Sequence, residues 1–154
     1  MIRSIKSTVD GDLHDLTREA DYARKAALAA GEILKRYYGT KYEIGSKGRD
    51  NPVTVADTEA DSAIKSILTG AFPDYGWLSE ETVDNSDRLD KRRVWIVDPL
   101  DGTKEFINGI PEFSVAIALI EDGVPILGVT YNPIKREMYS SARGVGCHLN
   151  SRRG

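Results

Sequence analysis

Cysteine is almost missing from this chain: Cys147 is the single one among 154 residues. One thiol cannot close an internal disulfide, so the fold must rest on its core, and a reducing, cytoplasmic setting is expected. Histidine is nearly as scarce. With only His14 and His148 beside Cys147, no zinc cluster is expected, and any metal site would have to be built from oxygens. No apolar run approaches the length of a membrane span, and the opening MIRSIKSTVDGDLHD lacks the apolar core of a secretion signal. A net charge of −3 gives no global pull toward nucleic acid or an anionic membrane. The basic runs KRR at 91–93 and RR at 152–153 read as solvated loop charges. Repeats, low-complexity tracts and interdomain linkers are absent too, which leaves one domain over residues 1–154 as the expectation.

What is present is a globular composition, 40% hydrophobic and 29% charged. DLTREADYARKAALAAGEILKRYYG reads as a long helix, with Leu16, Ala20, Ala23, Ala27, Ala30, Leu34 and Tyr37 near helical spacing and Gly39 as its stop. KYEIGSKGRDNP is loop-like. TVADTEADSAIKSILTGAF predicts a second helix, capped by Thr54 and burying Ala60, Ala63, Ile64, Ile67 and Leu68. Strand candidates follow: YGWLS, VWIV, then FSVAIALIE and VPILGVTYN as a hairpin about Asp122-Gly123, and EMYSSA and GCHLN about RGVG. Two helices followed by adjacent strands predict an α+β fold, with the helices packed on a mainly antiparallel sheet.

The chemistry gathers in VWIVDPLDGT. Pro99 has no N–H for a ladder bond, so the strand is expected to end there, with Asp98 at its exit. The turn can place the carboxylates of Asp98 and Asp101 and the Leu100 carbonyl around one point, the donor set a hard divalent cation takes. Gly102 and Thr103 offer backbone N–H groups suited to a phosphate oxygen, and the Thr103 hydroxyl could orient a water. The bland alternative is that the two aspartates only cap a turn and a following helix. For this motif alone, both readings stand. Two more acidic stretches bear on the choice. WLSEET leaves Glu80 and Glu81 at the end of a β-like run, and PVTVADTEAD puts Asp57 in the first turn of the second helix, with Asp61 one turn later. Separately these are an exposed loop and a helix-start charge favoured by the dipole. Converging, they form a site for metal-assisted phosphate hydrolysis.

In their order, PVTVAD at 52–57, LSEE at 78–81 and WIVDPLDGTKEF at 95–106 resemble the inositol monophosphatase superfamily of magnesium-dependent, lithium-sensitive phosphatases. FSVAIAL and GVTYNP also fit, so the resemblance runs along nearly the whole chain. It implies two or three Mg²⁺ ions, with Glu80 ligating one, Asp98 bridging two, Leu100 ligating through its carbonyl and Asp101 holding the second. It implies that Thr103 with Glu80 activates the attacking water, that Asp57 helps hold a third ion and its water, and that the Gly102 and Thr103 amides contact the phosphate. Glu81 stands behind Glu80 in this scheme. A small phosphorylated metabolite is the implied partner. Lys104-Glu105-Phe106 resembles the 3'(2'),5'-bisphosphate nucleotidase branch, although Lys104 and Glu105 read equally as solvated charges. An inositol phosphate or other sugar phosphate stays open.

The resemblance also marks a departure. The chain stops where the superfamily continues into a second α/β layer, whose Trp-Asp motif supplies a further aspartate; here Trp77 precedes Leu78 and Trp95 precedes Ile96. The expectation is an N-terminal portion, completed by a C-terminal chain or by self-association, or an inactive metal-binding or interaction module. A haloacid-dehalogenase-type phosphatase is the rival enzyme class. It needs one residue fewer between the aspartates, and a loop near the N-terminus. The glycine-rich turn and Lys-Ser/Thr pair of a P-loop do not occur.

Overall fold

The computed structural model describes residues 2–40, 52–84, 86–150 and 152–153, with side chains from residue 16 to 150 apart from 41–52, 54 and 85. The expected loop at 41–52 therefore lies outside the described residues, except for Pro52. Helix α1 (Ile2–Tyr37) begins well before the expected Asp15. It carries Lys35 and Arg36 in its last turn, where the helix dipole favours cations. Gly39 stops it in a left-handed conformation, φ 73°. Helix α2 (Pro52–Ala71) starts two residues before Thr54. Proline has no N–H to lose at a first helical position and its φ is already helical, so Pro52 opens the helix. Thr54 thus lies inside α2 and is no cap, and Asp57 sits in the second turn instead of the first.

Among the described residues, seven strands form one sheet in sequence order. They are β1 (Gly76–Ser79), β2 (Arg93–Asp101), β3 (Ser114–Glu121), β4 (Val124–Asn132), β5 (Glu137–Ala142), β6 (Gly146–Leu149) and β7 (Arg152–Arg153). The pair at 152–153 is thus a short strand and not a loop. β1 runs parallel to β2 and every later pair is antiparallel. A short helix, α3 (Thr103–Ile107), leaves β2. The fold is α+β, as the order of patterns implied.

Strand alternation decides which face meets the helices. In β3, Val115, Ile117 and Leu119 are buried while Ala116, Ala118 and Ile120 are only half-buried. α1 covers β3, β4 and β5, and α2 covers β1 and β2. The helix–helix seam is made of small residues: Ala23, Ala26, Ala27, Ala30, Ala56 and Ala60 are fully buried, which brings the two backbones close. Gly31 extends that logic to the sheet. A Cβ there would lie 2.5 Å from the Tyr131 ring, so only glycine lets β4 approach α1 this closely. Among the described residues no helix is long and apolar enough to cross a membrane.

Candidate active site

The parallel pairing of β1 with β2 is what builds the site. Ser79 is registered opposite Val97, so the next residues, Glu80 just past the end of β1 and Asp98 within β2, stand at the same level. Both line one cavity of about 410 Å³ on the sheet face away from the helices. Asp57 is not among the residues that line this cavity; it approaches from α2, which packs across the same two strands, near enough for the charges of Asp98 and Glu80 to act on it.

β2 does not stop at Pro99 as the sequence predicts; it continues to Asp101 through a bulge. Asp98 pairs with Ala116 and Asp101 with Ser114, so three steps on β2 match two on β3. The missing N–H of Pro99 falls where the ladder is already interrupted. Pro99 and Leu100 are both buried although consecutive, and that lets Asp98 and Asp101 leave the strand as half-buried and exposed acids. The Leu100 N–H donates to Asp98 Oδ1 at 3.3 Å, and the Thr103 hydroxyl lies 3.5 Å from the Leu100 carbonyl oxygen, a long contact.

Gly102 caps α3 in a left-handed conformation, φ 91° and ψ 42°, with no side chain capping that helix. The aspartates therefore do not serve as the helix cap, although Asp98 does accept a turn N–H. A Cβ at 102 would stand 2.8 Å from the Glu112 carbonyl oxygen and 3.1 Å from Phe113 Cα. Glycine is required here on both counts. Beneath the turn, Phe106 and Phe113 meet edge to face with centroids 5.0 Å apart. Tyr38, at the end of α1, lies against Phe113 at 5.2 Å, and its hydroxyl donates to the Gly109 carbonyl at 2.6 Å.

Electrostatically the site is one acidic neighbourhood. Burial first, then Glu81, Asp98, Glu80 and Asp61, pushes the Asp57 carboxyl up to about 7. Burial, then Glu80 and Asp101, raises Asp98, partly offset by the Leu100 N–H. Burial, then Asp61 and Glu80, raises Glu81. No cation is among the groups acting on these three. Among the described residues, no three His, Cys, Asp or Glu side chains form a finished ligand cluster. The acids are repelling neighbours and not a closed cage.

A model of the inositol monophosphatase family matches residues 15–153. This chain belongs to that family. It is 46% identical over 127 residues to the 3'(2'),5'-bisphosphate nucleotidase CysQ of Escherichia coli, covering 80% of this chain and 52% of that protein. It is 42% identical over 133 residues to an inositol-1-monophosphatase of Mesorhizobium japonicum, covering 84% of this chain and 49% of the relative. The crystal structure of CysQ from Bacteroides thetaiotaomicron, a bacterial family member, superposes with a TM-score of 0.78 at 40% identity, covering 88% of this chain and 50% of that one. The chain spans about half the length of the curated relatives it matches.

The structure thus puts Asp57, Glu80, Asp98 and Asp101 at one end of the sheet, with Leu100 between the two β2 aspartates and Gly102 and Thr103 directly after them at the start of α3. Sequence reasoning missed how the Glu80–Glu81 turn is held. Ser79 and Thr82 both donate to Asp61, with Thr82 Oγ1 to Asp61 Oδ2 at 2.6 Å. The only available signal was the pair of hydroxyl residues flanking Glu-Glu in LSEET.

Proposed function

We propose that this chain carries the metal- and phosphate-handling half of a Mg²⁺-dependent phosphate monoester hydrolase. One observation carries the reading: Glu80, just past β1, and Asp98, in the parallel β2, stand at the same level and line one cavity, and β2 runs on into the left-handed Gly102 turn. The donors fit a hard divalent cation, being oxygens only, mutually repelling and free of a competing cation in the groups that shift them. Glu80, Asp98, Asp101 and the Leu100 carbonyl would hold two ions, with Asp57 assisting a third. Bound Mg²⁺ would neutralise the phosphoryl oxygens and favour attack at phosphorus.

The remaining work falls to the chain itself. Thr103 and Glu80 orient a water and take its proton, and the Gly102 and Thr103 N–H groups donate to phosphate oxygens. The water oxygen forms a new P–O bond as the ester P–O bond breaks, and the alcohol leaves with a proton. The favoured substrate class is a 3'(2'),5'-bisphosphate nucleotide, supported by Lys104-Glu105-Phe106 and by the likeness to CysQ. An inositol phosphate is the second class, supported by the Mesorhizobium relative. The half-length match to the relatives favours one further reading, a portion that works only with a complementing chain or a second copy.

The test is phosphate release from adenosine 3',5'-bisphosphate and inositol 1-phosphate in Mg²⁺, with lithium as inhibitor and Asp98→Asn as control. Release that the variant loses supports the hydrolase, and the preferred substrate assigns the class. A folded chain that binds Mg²⁺ yet releases nothing from either would sink the stand-alone activity and leave the complemented portion.

A further inference from the structure

Asp61 is a buried carboxylate, 5% exposed, that the catalytic scheme above does not use. It lies one helical turn beyond Asp57 on α2. We infer that Asp61 is the positioning residue of the acidic turn: its carboxylate fixes the Ser79–Thr82 conformation and so sets where Glu80 stands relative to Asp98. This rests on the hydrolase reading for its purpose, but not for its geometry.

The hydrogen bonds leave little freedom. Ser79 Oγ donates to one Asp61 oxygen and accepts the Glu81 N–H at 3.2 Å. Thr82 Oγ1 donates to the other oxygen at 2.6 Å and accepts the Trp77 indole N–H at 3.3 Å. A hydroxyl has one proton. Each hydroxyl already receives an N–H, so each proton is directed at Asp61, and both chains of donors end on one carboxylate. Only a side chain accepting at both oxygens closes this arrangement, since a buried carboxylate without hydrogen-bond partners is strongly disfavoured. Ser79, Glu81 and Thr82 are tied in this way, and Glu80, between the ties, is left to face the cavity it shares with Asp98. α2 thus presents a site acid and, four residues on, the anchor of a second site acid.

The carboxamide of Asp61→Asn can accept from only one hydroxyl, which breaks one arm, whereas Asp61→Ala breaks both. The first measurement is amide and indole hydrogen exchange without metal. Faster exchange at the Glu81 N–H or the Trp77 indole in Asp61→Asn is expected; unchanged exchange at both in a folded variant would overturn the inference. The second is Mg²⁺ affinity, followed by competition with Mn²⁺ in paramagnetic resonance. Loss of an orienting partner of this kind typically costs roughly 10- to 100-fold in metal affinity. Ile64→Val, at a fully buried α2 position, supplies a variant of lowered stability with the ties intact. The inference expects Asp61→Asn to lose affinity and Ile64→Val to keep it; parallel losses in the two would reduce Asp61 to a core stabiliser. If the parent chain binds no Mg²⁺, the hydrolase reading fails, and the exchange result alone decides the role of Asp61.

Discussion

At the level of single residues, Gly102 is the position with the least latitude. Its left-handed φ of 91° costs an L-residue roughly 1–2 kcal/mol. The 2.8 Å approach of a Cβ to a backbone carbonyl adds a clash that no flexible side chain can relieve. Gly102→Ala should therefore lower stability by roughly 2–3 kcal/mol, seen as an earlier urea midpoint with an unchanged slope. A loss below about 0.5 kcal/mol would mean that the wall formed by Glu112 and Phe113 yields, contrary to its close packing. That wall is itself fixed: Asn132 Nδ2 donates to the Pro111 carbonyl at 2.8 Å, and Lys135 pairs with Glu112. The turn after β2 is held from the sheet side as well as from α1.

At the level of elements, periodicity carried further than punctuation. The alanine stripe of α1 and the alternation of β3 were legible because each buries one face, and burial imposes the period directly. Proline misled twice for opposite reasons. Pro99 reads as a strand end, yet a bulge absorbs its missing N–H. Pro52 reads as loop, yet it opens α2 and displaces Thr54 from the cap. The parallel β1–β2 pairing that levels Glu80 with Asp98 has no local signature, since it joins two segments separated by the chain between Ser79 and Arg93. The convergence of acids was legible only as three separated motifs. The role of Asp61, joined to residues 18 and 21 positions away, was not legible at all. The link from α1 to the site is of the same kind. Tyr38 reaches across 71 positions to Gly109, so Tyr38→Phe should cost about 0.5–1 kcal/mol. It should also speed amide exchange along Ile107–Ile110 more than in the centre of β3. Equal effects in both places would mean that the hydroxyl stabilises the fold generally and not the segment behind the turn.

At the level of the whole molecule, the acidic end makes stability depend on pH in a direction opposite to that of most carboxylates. Asp57 titrates near 7 in the folded chain and near 3.8 when free. Between those values the folded chain keeps a proton that the unfolded chain has released, so folding takes up a proton and stability falls as pH rises through that window. Asp98 and Glu81 are shifted in the same direction. Three pH units correspond to about 4 kcal/mol, and solvent screening of a half-buried group reduces this to roughly 2 kcal/mol. Metal-free chain should thus unfold at lower urea at pH 8 than at pH 5, and Asp57→Asn should flatten the dependence, gaining stability at pH 8. Mg²⁺ favours the ionised acids, so adding it should recover stability at pH 8 and do little at pH 5, where protons compete. A metal-free profile that rises from pH 5 to pH 8 would show that these acids do not share one end of the sheet, and the proposed site would fall with them.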